Sequence, residues 1–223
     1  MQSLLLILAG KIIAIVIGLC FFKFLSKPYR LILVQVIFAL LCEWGAQFIV
    51  KHYHRNNIWV FNIYLLVEVW LIGLAGRLLL RNKLIQKFVL PVLILATLIW
   101  CSNIYFSGMA DFANWCFVAS SLILIVLYFI VLFDNALFSS QKIITQPVFW
   151  LSFSIIIFFG CDLPYFGIRN YLVNKHSDIE LKVDYINYIL NFIRYPLVAI
   201  SFILCTYKQA DQNKTITSSN VFR

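Results

Sequence analysis

Long apolar runs, interrupted only by short clusters of polar and basic residues, divide the chain into seven stretches at about 3–25, 30–51, 57–80, 84–105, 112–133, 147–167 and 183–206. A hydrocarbon core about 30 Å thick is crossed by roughly 20 residues rising 1.5 Å each, so every stretch is long enough to span. The runs are continuous rather than alternating over about ten residues, which predicts helices and not barrel strands. The predicted class is therefore all-α: a polytopic integral membrane helical bundle of about seven transmembrane helices within residues 1–206. Residues 207–223 are polar, rich in Ser, Thr and Asn, and predict a disordered cytoplasmic tail.

Composition supports this pattern. The 223 residues are 63% hydrophobic and only 12% charged, well away from the roughly 45–50% apolar and about 25% charged of soluble domains. The first stretch reads as a retained span, because Met1-Gln2-Ser3 carries no basic residue and Lys11 interrupts the apolar run. The net charge of +9 changes the picture through its placement. With the amino end outside, eleven cations (Lys23, Lys27, Arg30, Arg77, Arg81, Lys83, Lys87, Lys142, Lys208, Lys214 and Arg223) fall on the inner side. Five (Lys51, Arg55, Arg169, Lys175 and Lys182) fall on the outer side, and Lys11 and Arg194 lie within spans. This asymmetry predicts a plasma (inner) membrane protein with its amino end outside and its carboxyl end cytoplasmic. Anionic lipid headgroups of the bilayer are a sufficient partner for the cations, and nucleic acid is not called for. Asn213-Lys214-Thr215 fits a glycosylation acceptor, but this topology places it inside.

An internal echo joins the two halves. Pro28 stands fourteen positions before Cys42-Glu43, and Pro147 stands fourteen before Cys161-Asp162. The run from Phe61 to Leu66 is likewise echoed by that from Tyr185 to Leu190 once a gap is allowed. Chance matching in a Leu/Ile/Phe-rich text is the competing explanation. Taken as a repeat, the echo predicts two parallel three-helix units joined by the fourth helix. Seven spans, an outside amino end and a three-one-three layout resemble the sugar-transporter and PQ-loop class of small membrane proteins. The Pro-Gln dipeptide of that class is missing, with only the reverse Gln146-Pro147 present, and the resemblance implies an architecture without residue roles.

Ionisable side chains at mid-bilayer cost about 2.5–3.5 kcal/mol on insertion scales and so must turn inward and find partners. Five are predicted there: Lys11, Glu43, Glu68, Asp162 and Arg194. Three acids thus meet two bases, with Glu68 the preferred partner of Arg194 by depth. Gln47 lies one turn beyond Glu43 and Tyr64 one turn before Glu68, while Asp184, Asn187, Asn191 and Arg194 draw a polar stripe along the last span. Glu43, Gln47, Asn62, Tyr64, Glu68, Asp162, Asn187, Asn191 and Arg194 are therefore the candidate lining of an outward-open polar cavity. The same residues would also serve as interhelical ties. A small polar solute is the partner implied by a cavity, and a membrane partner or a homo-oligomer the one implied by ties.

Other chemistry finds little support. The six Cys lie in or beside apolar spans, where thiols act as small hydrophobes, although Cys101 and Cys116 flank one short outer loop and would be in reach of a disulfide. His52, His54 and His176 are an incomplete zinc pattern, the last span has no Lys for a Schiff base, and no Walker, dinucleotide, Gly-x-Ser-x-Gly or haem motif occurs. No cofactor, metal or catalytic residue is assigned, and an enzyme is not indicated. The readings that remain are a small-solute transporter or permease-like protein, a seven-helix sensor or receptor-like protein, and a structural subunit of a membrane complex.

Overall fold

The structure, a computed structural model, describes residues 2–53, 57–138, 142–175, 187 and 189–207. Among these described residues seven α-helices succeed one another: α1 (Gln2–Cys20), α2 (Lys27–Tyr53), α3 (Ile58–Leu79), α4 (Lys83–Ser107), α5 (Asn114–Leu137), α6 (Pro147–Lys175) and α7 (Ile189–Tyr207). Among the described residues there is no strand. Six of the helices, α2 to α7, are long and apolar enough to cross a bilayer, and α1 is apolar over Leu8–Cys20. The expected tail, with the exception of Tyr207, lies outside the described residues, as do Asp184, His54, His176 and Lys182.

Helix ends depart from the apolar runs where local geometry overrides hydropathy. The first run continues to Leu25, but α1 stops at Cys20 and the chain turns through a 3-10 segment at Phe22–Phe24 into an extended Leu25. Apolar content alone does not distinguish these conformations. α4 ends where Gly108 adopts φ 79°, a conformation natural to glycine, and donates its N–H to the Ile104 carbonyl at 2.9 Å. α6 runs on past its apolar portion, Pro147–Pro164, to Lys175.

Burial is inverted relative to a water-soluble fold. Lys11, Glu68, Asp162 and Arg194 are all at most 3% exposed, while Leu41, Phe88 and Leu98 are 59% or more exposed. Such an arrangement is stable only where the exterior is itself apolar. Inside, helices approach through small residues. A Cβ added to Gly18 would meet Leu33 and Phe202, which sets α1 between α2 and α7. One added to Gly73 would stand 2.5 Å from Leu93 Cδ2, so Leu93, itself fully buried, would have to shift. Gly73→Val is therefore expected to cost about 1–3 kcal/mol by overpacking the α3–α4 contact. Thermal unfolding in detergent checks this, and a variant as stable as the parent would show that the contact is slack.

At the end of the bundle that carries the α1–α2, α3–α4 and α5–α6 connections, Asp134 on α5 ties the corner between α3 and α4. Its Oδ2 accepts the backbone N–H of Arg81 at 2.6 Å and of Asn82 at 3.1 Å. Asn135 donates to the Leu79 carbonyl at 3.0 Å, and Arg81 donates to the Phe138 carbonyl at 2.7 Å. Asp134→Ala is expected to lose about 1.5–3 kcal/mol, because two backbone donors lose a charged acceptor; Asp134→Asn, keeping an acceptor, should lose less. Equal melting temperatures for the three proteins would contradict this role.

Candidate functional site

Glu68 sits half-way along α3 and gathers three helices. Its Oε1 accepts from Arg194 Nη2 of α7 at 2.9 Å, from Gln35 Nε2 of α2 at 2.9 Å and from the Tyr64 hydroxyl, one turn earlier on α3, at 2.8 Å. Gln35 also donates to the Tyr64 oxygen at 2.9 Å. Both charges of the Glu68–Arg194 pair are almost wholly buried. The Arg194 guanidinium lies in addition over the rings of Phe158 at 4.3 Å and Phe159 at 5.3 Å, where the ring quadrupoles favour a desolvated cation.

The second base has its own acid. Lys11 of α1 is ion-paired with Glu43 Oε1 of α2 and lies 5.2 Å from the centre of the Tyr195 ring. Asp162 is the acid without a base among the described residues. It is buried on α6 and accepts a long contact, 3.4 Å, from Asn187 Nδ2; Asn187 in turn accepts from Asn191 Nδ2 at its own Oδ1, at 2.6 Å.

Both ion pairs border one cavity of about 320 Å³. Glu43, Gln47, Tyr64, Glu68, Asn187, Asn191 and Arg194 of the candidate set line it, joined by Lys11, Asn57 and Tyr195 and by an aromatic wall of Phe61, Phe112, Phe117, Phe158 and Phe166. Exposure is graded along it: Gln47 is exposed, Glu43, Asn57 and Asn191 are half-buried, and Glu68, Arg194 and Tyr195 are buried. The cavity thus descends from the end of the bundle that holds the α2–α3 and α4–α5 connections. From Asn57 to Glu68 it follows α3 for roughly 16 Å, about half the hydrocarbon thickness.

Two members of the candidate set stand apart from this lining. Asn62 is fully buried and turned to the α4–α5 connection, where Nδ2 donates to the carbonyls of Met109 at 3.2 Å and Asp111 at 2.9 Å, and Oδ1 accepts the Ala113 N–H at 3.1 Å. Asp162 is absent from the lining too and, among the described residues, has its hydrogen bond from Asn187. Glu43 and Asp162, which occupy matching places in the sequence echo, therefore sit in different settings, one opposed by a lysine and one by an amide.

Gln35 and Tyr195 are the residues that sequence reasoning passed over. A signal existed for Gln35, since Gln35, Ala39, Glu43, Ala46 and Gln47 recur at helical spacing on one face of α2; it was overshadowed by the ionisable groups. Tyr195 carried the same signal, four positions after Asn191 and eight after Asn187. Trp70 donates its indole N–H to Thr97 Oγ1 at 2.9 Å and packs against the core, away from the cavity. Cys101 and Cys116 are both free thiols.

Comparison with protein families, with curated proteins and with solved structures gives no match for the chain. The likeness to the sugar-transporter and PQ-loop class accordingly rests on layout alone. Fold and burial define the class: this is a multi-pass helical membrane protein.

Proposed function

We propose that this protein binds a small polar solute in the cavity between α1–α3 and α5–α7 and moves it across the membrane, as a transporter or permease. The carrying observation is that three side chains of the cavity lining hold a buried polar atom with unmet hydrogen-bonding capacity: Arg194 Nε and the Tyr195 hydroxyl have no partner among the described residues, nor does Glu43 Oε2. An unpartnered buried polar atom costs about 1–3 kcal/mol, which a ligand or water admitted by the cavity would offset. The unequal distribution of cations supports an outside amino end and a first span formed by α1, so that seven helices cross and the cavity opens outward, opposite the basic connections. Alternating access would then come from rocking α1–α3 against α5–α7 about the Glu68–Arg194 contact.

A second reading has its own observation: both bases are already paired with an acid. Two such pairs would hold helices together in a structural subunit or in a sensor whose partner reads the basic end. Reconstitution into proteoliposomes separates these readings. Counterflow or uptake of a solute by the parent, with a large loss in Arg194→Lys, supports transport; absence of flux for every solute that stabilises the purified protein would exclude it and favour sensing.

A further inference from the structure

We infer that the solute held in the cavity is a small zwitterion, one that carries an ammonium and a carboxylate a few atoms apart. This inference rests on the binding cavity proposed above and names its ligand class.

Charge is the first ground. Lys11, Glu43, Glu68 and Arg194 all line the cavity and sum to zero. A solute of net charge brought to this depth would arrive without a counterion, whereas a zwitterion adds none. The second ground is the chemistry of the atoms left unmet. Arg194 gives Nη2 to Glu68 and keeps Nε, a donor suited to a carboxylate oxygen. Glu43 gives Oε1 to Lys11 and keeps Oε2, an acceptor suited to an ammonium. The third unmet atom among the lining side chains, the hydroxyl of Tyr195, is able to serve either end.

Placement is the third ground. The single ring of Tyr195 has Lys11 Nζ at 5.2 Å and Arg194 Cζ at 5.6 Å from its centre. The base of each ion pair therefore lies beside the same ring, which brings the two pairs close enough for one small molecule carrying both charges to meet them. Neutral polyols would meet the hydrogen-bonding groups but leave the opposed charges unused. The facing wall of Phe112, Phe117, Phe158 and Phe166 is apolar, so it suits the uncharged body of the solute rather than a second polar end. Phe117 and Phe166 are themselves packed with ring centres 4.1 Å apart, which makes that wall a preformed surface.

The test is a thermal-unfolding series on the full chain in detergent. The ligands are glycine, phenylalanine and 4-aminobutyrate, each set beside the amine and the carboxylate that remain when one charge is deleted: for phenylalanine these are phenethylamine and 3-phenylpropanoate. At least one zwitterion is expected to raise Tm in a concentration-dependent way while its two single-charge analogues at equal concentration do not. Tyr195→Phe, which removes only the hydroxyl, is expected to weaken that ligand about tenfold. Glu43→Gln removes the ammonium acceptor and leaves Lys11 unopposed, so the preference should move from the zwitterion to the free carboxylate; a role for Glu43 in packing alone would lower Tm without moving the preference. No shift with any zwitterion, or an equal shift with an amine or a carboxylate alone, overturns the inference. If a neutral polyol stabilises the protein and crosses in proteoliposomes instead, the ligand class is wrong while the transport reading stands.

Discussion

Glu68→Ala is expected to be among the most damaging single substitutions in this chain, lowering stability by about 3–5 kcal/mol, because it leaves the buried Arg194 guanidinium without its counterion. The hydrogen bond lost from Gln35 contributes less, since interhelical bonds in membranes average about 0.6 kcal/mol, and that from Tyr64 lies within α3 itself. The charge decides the outcome, and that makes a further result calculable. Glu68→Gln alone should also be strongly destabilised, whereas Glu68→Gln combined with Arg194→Gln should recover most of the loss, since no orphan charge remains. A double-mutant cycle in detergent unfolding reads this coupling directly. Additive losses in the double variant would show that the pair does not act as a pair. Because the pair also borders the cavity, the recovered double variant should fold but no longer hold the solute.

Asn62→Ala is expected to cost about 2–4 kcal/mol and to touch solute binding only indirectly, through Phe112, which the same connection carries into the cavity wall. Three side-chain hydrogen bonds fasten the connection between α4 and α5, and truncation leaves the N–H of Ala113 and the carbonyls of Met109 and Asp111 without this partner. Asn62→Asp is the sharper probe. It keeps an acceptor for Ala113 but aims a carboxylate oxygen at two carbonyl oxygens, so it should be worse than alanine. An Asp variant as stable as the parent, or an Ala variant that folds normally but loses solute affinity, would move Asn62 out of this loop-fastening role and back to the cavity.

The contrast between Asn62 and Glu68 shows how far a linear reading reaches. Both are polar groups within one apolar stretch of α3, six positions and therefore nearly two turns apart, and both had to turn inward because hydrocarbon gives them no partner. That requirement is written in residue type and spacing. Which neighbour each one meets depends on the rotation of α3 against α2, α5 and α7, and on the connections that fold over its end. Gln35 illustrates the same limit: its helical register with Glu43 and Gln47 is visible in the sequence, but its bond to Glu68 exists only because α2 packs beside α3 at that height.

By itself the sequence determined the helical class, the approximate extent of the apolar stretches and the list of side chains barred from lipid, because each follows from the cost of exposing polar groups to hydrocarbon over a fixed thickness. Depth along the spans already favoured Glu68 as the partner of Arg194, and the structure pairs them; tertiary structure alone decided that Lys11 answers Glu43 and that Asp162 is left to an amide. It also decided that α1 stops before its apolar run does. These outcomes turn on relative helix rotation and on local backbone geometry, and hydrophobicity is indifferent to both.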